Sequence, residues 1–413
     1  MKYFKKTAVV FIATALNFLF SYAIHFFLGR FLGPAEYGRY GVVLNLIWVT
    51  VIPSTAIVAS LVKFSAEFNA KKEFGKLKSL LASLLKFSLI LNIIFMCFYI
   101  LFSYPLSELL GGGMVNLIII VAISLPISGI ASVLFNSLQG VGKVYPFSLV
   151  NSLSTLIKLI FVILFVFIGF GAFGAFLALI FSGIGVIFLC LPFILQYFKY
   201  KRVKINNSHI LNFALPVLFT NFFINLVLYF DLFFVSSILG AEQAGFYGAA
   251  VTLCRAFLMS SSILAVFFPE FSKEGALNNL KKLRSNLKWA LFYTSGICLI
   301  GLIAFWLFPE FIINLTYSGL YIEAIPVLKV LSVGYSFYAL FTVLLYALWA
   351  VNEHKVAGLF GIGLFVLDVL LLSFIVPFYG LIGAAFVTTG LLVILFFFSL
   401  FLLFSKILRK QDL

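Results

Sequence analysis

Leu32-Gly33-Pro34-Ala35-Glu36-Tyr37-Gly38-Arg39-Tyr40-Gly41 returns 207 residues later as Leu239-Gly240-Ala241-Glu242-Gln243-Ala244-Gly245-Phe246-Tyr247-Gly248. Both copies keep Leu-Gly at the start and Gly-x-Tyr-Gly at the end. At the same offset Pro53-Ser54-Thr55 meets Ser260-Ser261-Ser262, and Gly171-Ala172-Phe173-Gly174-Ala175 meets Gly380-Leu381-Ile382-Gly383-Ala384 at an offset of 209. Self-similarity of this kind marks a duplicated structural unit. The chain divides into residues 1–205 and 206–413.

Composition says what each unit is made of. Of 413 residues, 64% are hydrophobic and 10% charged, and the mean hydropathy is +1.20, which excludes an ordinary water-soluble domain. A membrane-crossing helix needs about 20 apolar residues. Apolar runs between polar breaks place spans near 7–28, 40–62, 80–102, 114–138, 147–169, 172–195, 210–235, 247–268, 287–308, 326–349, 356–378 and 381–405. The expected fold is therefore all-α and integral to a membrane, with twelve transmembrane helices in two parallel six-helix lobes around a central cavity. Because six is even, both copies enter from the same side, as in transporters built from parallel repeats. The start, Met1-Lys2-Tyr3-Phe4-Lys5-Lys6, resembles a signal peptide. Its apolar run continues to Leu28 without a small-residue cleavage site, so it reads as an uncleaved first span.

Charge gives the direction of threading. Lys and Arg number 28 against 13 acidic residues, a net charge of +15, and 22 of the cations fall on segments that share the N-terminal side, such as 63–78, 199–204 and 273–288. The opposite side holds only Arg30 and Arg39. By the positive-inside rule both termini are cytoplasmic. The basic residues are scattered over separate segments with no aromatic-interleaved patch, which argues against a nucleic-acid partner. Cys97, Cys190, Cys254 and Cys298 lie in apolar runs without CxxC spacing or a nearby His, so no disulfide or metal site is expected.

An ionisable residue within a span costs about 2.5–3.5 kcal/mol on insertion scales and is a functional candidate by default. There are six: Lys86, Lys158, Arg255, Lys329, Asp231 and Asp368. Lys86 and Lys329 lie near enough to span ends to snorkel. Lys158 and Asp368 sit at mid-span in pseudo-equivalent positions; they are expected to pair across the lobes, bind substrate or carry a coupling ion. Arg255 offers a fork of donors matched to phosphate oxygens. Thr14, Asn17, Ser21 and His25 share one helical face of the first span. Asn221 and Asn225 lie four apart after Pro216 and before Asp231. These stripes either line a cavity or join helices through amide contacts. Arg30 and Arg39 flank Glu36, and are expected to bind lipid headgroup phosphates, to pair with Glu36, or to form the rim of an anion path. The candidate substrate-binding set is Arg255, Lys158, Arg30, Arg39, Asn17 and Asn225; the candidate ion-coupling set is Asp368 and Asp231.

Three motifs then carry a family resemblance. Leu32-Gly33-x-x-x-Tyr37-Gly38-x-Tyr40, Leu138-Gln139-Gly140-Val141-Gly142-Lys143 and Phe268-Pro269-Glu270-Phe271-Ser272-Lys273 resemble signatures of polysaccharide-biosynthesis membrane proteins. That group is the Wzx-type flippase branch of the multidrug/oligosaccharidyl-lipid/polysaccharide (MOP) exporter superfamily. The resemblance implies translocation of an undecaprenyl-pyrophosphate-linked oligosaccharide from the cytoplasmic to the outer leaflet of a prokaryotic inner membrane by alternating access. No enzyme activity and no cofactor are expected; the carboxylates Asp368 and Asp231, buried in their spans, motivate coupling to a proton or sodium gradient. Four intramembrane cations against two carboxylates suit an anionic cargo. A MATE-type antiporter of organic cations is the alternative, with Asp231 and Asp368 in its service. An integral membrane glycosyltransferase would need an acid-rich metal motif, and the longest outer loop, near 309–325, offers only Glu310 and Glu323. Pro53, Ser54, Pro216 and Ser260 to Ser262 are expected to let their helices bend.

Overall fold

The computed structural model describes residues 2–204, 207–276, 279–350 and 354–408. The unit boundary expected at 205/206 lies outside the described residues, as do the side chains of Thr14, Pro216, Asn221, Ser261, Ser262, Pro269 and Ser272. Among the described residues there is no β-strand. The chain forms two compact units, Met1–Phe219 and Thr220–Leu413.

The first unit opens with α1 (Lys2–Ala70), whose only non-helical residue is Gly33 at φ 73°, ψ 170°. It continues through α2 (Phe74–Leu101), the short α3 (Ser103–Leu109), α4 (Val115–Gly140), α5 (Val144–Phe167) and α6 (Gly171–Phe198). Then α7 (Asn207–Leu239) leads into the second unit. There α8 (Ala241–Cys254) passes into a 3₁₀ segment, Arg255–Ile263, followed by α9 (Leu264–Ala276), α10 (Leu280–Leu307) and α11 (Pro309–Thr316). A 3₁₀ turn, Gly319–Tyr321, precedes α12 (Ala324–Ala350) and α13 (His354–Leu408), the last broken at Gly380 with φ 57°, ψ −143°. Eight helices among the described residues are long and apolar enough to cross a membrane.

The repeat read from the sequence is present in the backbone. Gly33 and Gly240 take the same conformation, φ 73° and 90° with ψ 170° and 173°, a region open essentially to glycine alone. Gly171 and Gly380 also share a positive φ, 53° and 57°. The correspondence extends to elements whose sequences gave no sign of it: α3 and α11 occupy equivalent places, and α4 and α12 start 209 residues apart. The loop expected at 309–325 is thus largely α11 and a 3₁₀ turn. Proline at the first helical position starts α11 at no hydrogen-bond cost, since that N–H has no intrahelical acceptor in any case.

Each unit is packed around its equivalent middle helix. Buried residues make up 61% of the apolar stretch of α4 and 67% of that of α12, against 22% or less for α2, α5, α6 and α10. The latter turn large apolar side chains such as Phe87, Ile94, Phe188, Phe292 and Ile300 outward, which a lipid solvent tolerates without penalty. The cores repeat as well. Ile57, Phe64, Leu77 and Leu81 in the first unit are matched by Leu264, Phe271, Leu283 and Leu287 in the second. Between apolar helices in lipid, such close packing is itself the main attraction.

Candidate functional site

In the first unit Asn17, of the polar stripe on α1, is bonded to a neighbouring helix. The Asn17 amide donates to Asn151 Oδ1 at 3.1 Å and to Thr155 Oγ1 at 2.6 Å, both on α5. One turn toward the N-terminus, Ser152 Oγ donates to the Ala13 carbonyl at 3.0 Å. These bonds tie α1 to α5, which is the helix-joining role. Lys158 follows Thr155 by one turn on α5 and is half-buried. Toward the Gly33 break, His25 Nδ1 lies 3.1 Å from the Tyr37 hydroxyl, and Tyr40 packs its ring on Phe176 with centroids 5.0 Å apart.

The second unit gathers charge instead. Asp231, on α7 and 1% exposed, accepts from the Tyr247 hydroxyl of α8 at 2.8 Å and from Thr388 of α13 at 3.3 Å. Its other oxygen accepts from the Leu232 amide at 2.7 Å. The Arg255 guanidinium stands 5.0 Å from the Tyr229 ring centroid and within electrostatic reach of Asp231 and Tyr335. The buried Tyr335 hydroxyl beside it makes no hydrogen bond of good geometry. Asp368, on α13, is fully buried, within electrostatic reach of Asp231, and neither of its oxygens has a hydrogen-bond partner among the described residues. Asn225 lies two turns before Asp231 on α7 and is half-buried.

The fold thus unites Arg255, Asp231 and Asp368 in one unit and adds Tyr229, Tyr247, Tyr335 and Thr388, which no charge count singles out. Tyr247 was visible as the tyrosine of the repeated Gly-x-Tyr-Gly; Thr388 and Tyr335 lie more than 80 residues away from it and carry no local signal. Two further intramembrane cations have surroundings of their own. Lys86 is exposed on α2, and Lys329 places its ammonium 6.0 Å over the Trp306 ring. The three ion pairs formed by described residues, Lys71–Glu67, Lys76–Glu73 and Lys282–Glu274, lie in the polar connections. No cluster of three metal-ligating side chains occurs among the described residues.

At the Gly33 end of the first unit, Arg30 is exposed and Arg39 half-buried. Glu36 accepts from the Ala172 amide at 2.7 Å, so its carboxylate caps the start of α6. At the other end Lys143, of the second motif, donates to the Phe193 carbonyl at 2.9 Å and lies over the Phe193 and Tyr197 rings. Burial there lowers its pKa from the usual lysine value.

This architecture is that of known transporters. An inward-facing multidrug-resistance MATE transporter of the MOP superfamily aligns with a TM-score of 0.81 over 95% of this chain and 96% of its own, at 17% identity. A MOP superfamily transporter from Pyrococcus furiosus, described as having a binding pocket of reversed polarity, aligns with a TM-score of 0.71 over 97% and 94% at 16% identity. The molecule is a multi-pass membrane protein with the MOP transporter fold. The profile of polysaccharide biosynthesis proteins matches residues 3–274, and the chain belongs to that family. A putative O-antigen transporter of Shigella flexneri is 29% identical over 208 residues, a match that spans 46% of this chain and about half, 47%, of that relative.

Proposed function

We propose that this protein is a flippase that carries an undecaprenyl-diphosphate-linked oligosaccharide from the cytoplasmic to the outer leaflet by alternating access, with both termini cytoplasmic. The observation that carries the reading is the Arg255 guanidinium, half-buried beside the Tyr229 ring, within electrostatic reach of Tyr335 and Asp231, and in no direct ion pair among the described residues. A diphosphate must cross an apolar slab, and a fixed guanidinium there replaces lost hydration with charge-assisted hydrogen bonds. Lys158 is the second diphosphate ligand in this scheme, Asn225 a sugar or phosphate contact, and Arg30 and Arg39 meet the headgroup on the outer side. Asp368 and Asp231 couple the cycle to a proton or sodium gradient. Twelve crossings follow if α1 and α13 each count twice at their glycine breaks and the α8–α9 run counts once. Family membership and the Shigella relative support the cargo class.

The test is a vesicle assay with the purified protein, comparing movement of a polyprenyl-diphosphate oligosaccharide with efflux of a cationic dye. Transport of the lipid, reduced about a hundredfold or more in Arg255→Ala and strongly in Lys158→Ala, is expected. Dye efflux without lipid movement would instead make the protein a cation antiporter.

A further inference from the structure

At the Gly33 end of the first unit lies a cavity of about 400 Å³ to which the central site of the second unit makes no claim. Arg39, Glu36 and Asn116 line it together with Leu117, Phe170 and Phe173. Arg39 Nε is buried and has no hydrogen-bond partner, which is costly for a charged donor unless something else supplies the acceptor. Glu36 Oε1 accepts from the Ala172 amide at the start of α6, and no ion pair joins Glu36 to Arg39 among the described residues. The backbone crowds the guanidinium from the other side, since a Cβ on Gly113 would sit 3.4 Å from Arg39 Cζ, and Gly111, Gly112 and Gly113 all have positive φ. Directly after this turn α4 begins at Val115, and the amides of a first helical turn have no intrahelical acceptor. The polar pole of the cavity therefore offers a guanidinium and an asparagine amide beside the first turn of a helix, both suited to an anion, with the Glu36 carboxylate, turned by one oxygen to the Ala172 amide, on the same lining.

The rest of the lining decides what bears that anion. Leu117, Phe170 and Phe173 give the cavity an apolar side, and Phe31 and Phe170 nearby are exposed at 56% and 49%. All lie where α1 breaks and where α4 and α6 begin, at the ends of apolar spans, the depth at which lipid phosphates and aromatic side chains meet. A soluble anion would have no use for such walls. We infer that the Arg39 cavity is a binding site for the phosphate group of a lipid, with Arg39 as its principal ligand and Asn116 as a second donor.

Where the lipid is the cargo this site rests on the proposed function, which already sets Arg39 at the headgroup; where it is a resident membrane lipid the site stands on its own geometry. The test is native mass spectrometry of the full-length protein titrated with phosphatidylglycerol, undecaprenyl diphosphate, diacylglycerol or inorganic phosphate. Wild type is expected to retain the phospholipids and to show little affinity for diacylglycerol or inorganic phosphate. Arg39→Gln is expected to weaken phospholipid binding about tenfold, Arg39→Lys less, and Asn116→Ala least. Repeating Arg39→Gln in an Arg255→Ala background separates the two sites: the same loss there places the lipid phosphate at Arg39 even if the flippase reading fails. If only phosphatidylglycerol loses affinity, the ligand is a resident membrane lipid; if only undecaprenyl diphosphate does, it is a polyprenyl lipid. Should Arg39→Gln, Arg39→Lys and Asn116→Ala all retain both phospholipids as wild type does, or should wild type hold diacylglycerol equally well, the inference is overturned.

Discussion

Tyr40 and Tyr247 are the same residue of the duplicated motif, fully buried in both units, yet one packs on the Phe176 ring and the other donates a hydrogen bond to Asp231. Around Tyr40 lie the rings of His25, Tyr37 and Phe176, with His25 Nδ1 at 3.1 Å from the Tyr37 hydroxyl. Around Tyr247 lie two carboxyls, a guanidinium and a lone tyrosine hydroxyl. The two units also differ in how they accommodate their mid-helix breakers. In α1 the backbone stays helical through Pro53, whereas Arg255–Ile263 gives up α-geometry for nine residues of 3₁₀ helix. Runs of 3₁₀ beyond three or four residues are uncommon and mark hinges or strain. Duplication has thus preserved glycine breaks and cores while the surroundings of the repeated tyrosine drifted apart: in the first unit it packs on an aromatic ring, and in the second it joins a group of two carboxyls and a guanidinium.

The hardest strike against this contrast is removal of charge from the second unit. Asp368→Asn and Asp231→Asn are expected to abolish gradient dependence of transport and to lower the rate about tenfold or more, while His25→Ala in the first unit lowers it only slightly; vesicle flux with and without an imposed pH or sodium gradient measures both. Equal losses in the three variants would erase the asymmetry. A smaller effect tests what the units share. No atom lies within 4 Å of a Cβ built on Gly33 or Gly240, so Gly33→Ala and Gly240→Ala meet only backbone strain, about 1–3 kcal/mol each and similar in the two units, read from thermal unfolding in detergent. Smallest is the tyrosine pair. Tyr247→Phe is expected to cost about 1–2 kcal/mol by stripping a donor from buried Asp231, and Tyr40→Phe to cost less because its ring contact survives.

Much of this was legible in the sequence, but unevenly. The glycine positions were, because only glycine tolerates those torsions, so Gly33, Gly171, Gly240 and Gly380 stand out in a chain otherwise rich in Leu and Phe. The helical class followed from hydropathy alone. Helices α3 and α11 were not readable, being seven and eight residues long and embedded in stretches that scan as loops. In the site, Arg255, Asp231 and Asp368 were findable because charge in an apolar run is rare. Their grouping was not, since Asp231 meets Thr388 across 157 residues. Asn17 shows the converse: its place on a helical stripe was legible, but its bonds to Asn151 and Thr155 on α5 join residues more than 130 positions apart and left no local signal.

The 3₁₀ run beginning at Arg255 has a mechanical consequence. A 3₁₀ helix rises about 2.0 Å and turns about 120° per residue, against about 1.5 Å and 100° in an α-helix. If Arg255–Ile263 rewound into α-geometry, the rod from α8 to α9 would shorten by about 4.5 Å and twist by about half a revolution about its own axis. The segment is a screw thread of fixed pitch change, and Arg255 sits on its first turn.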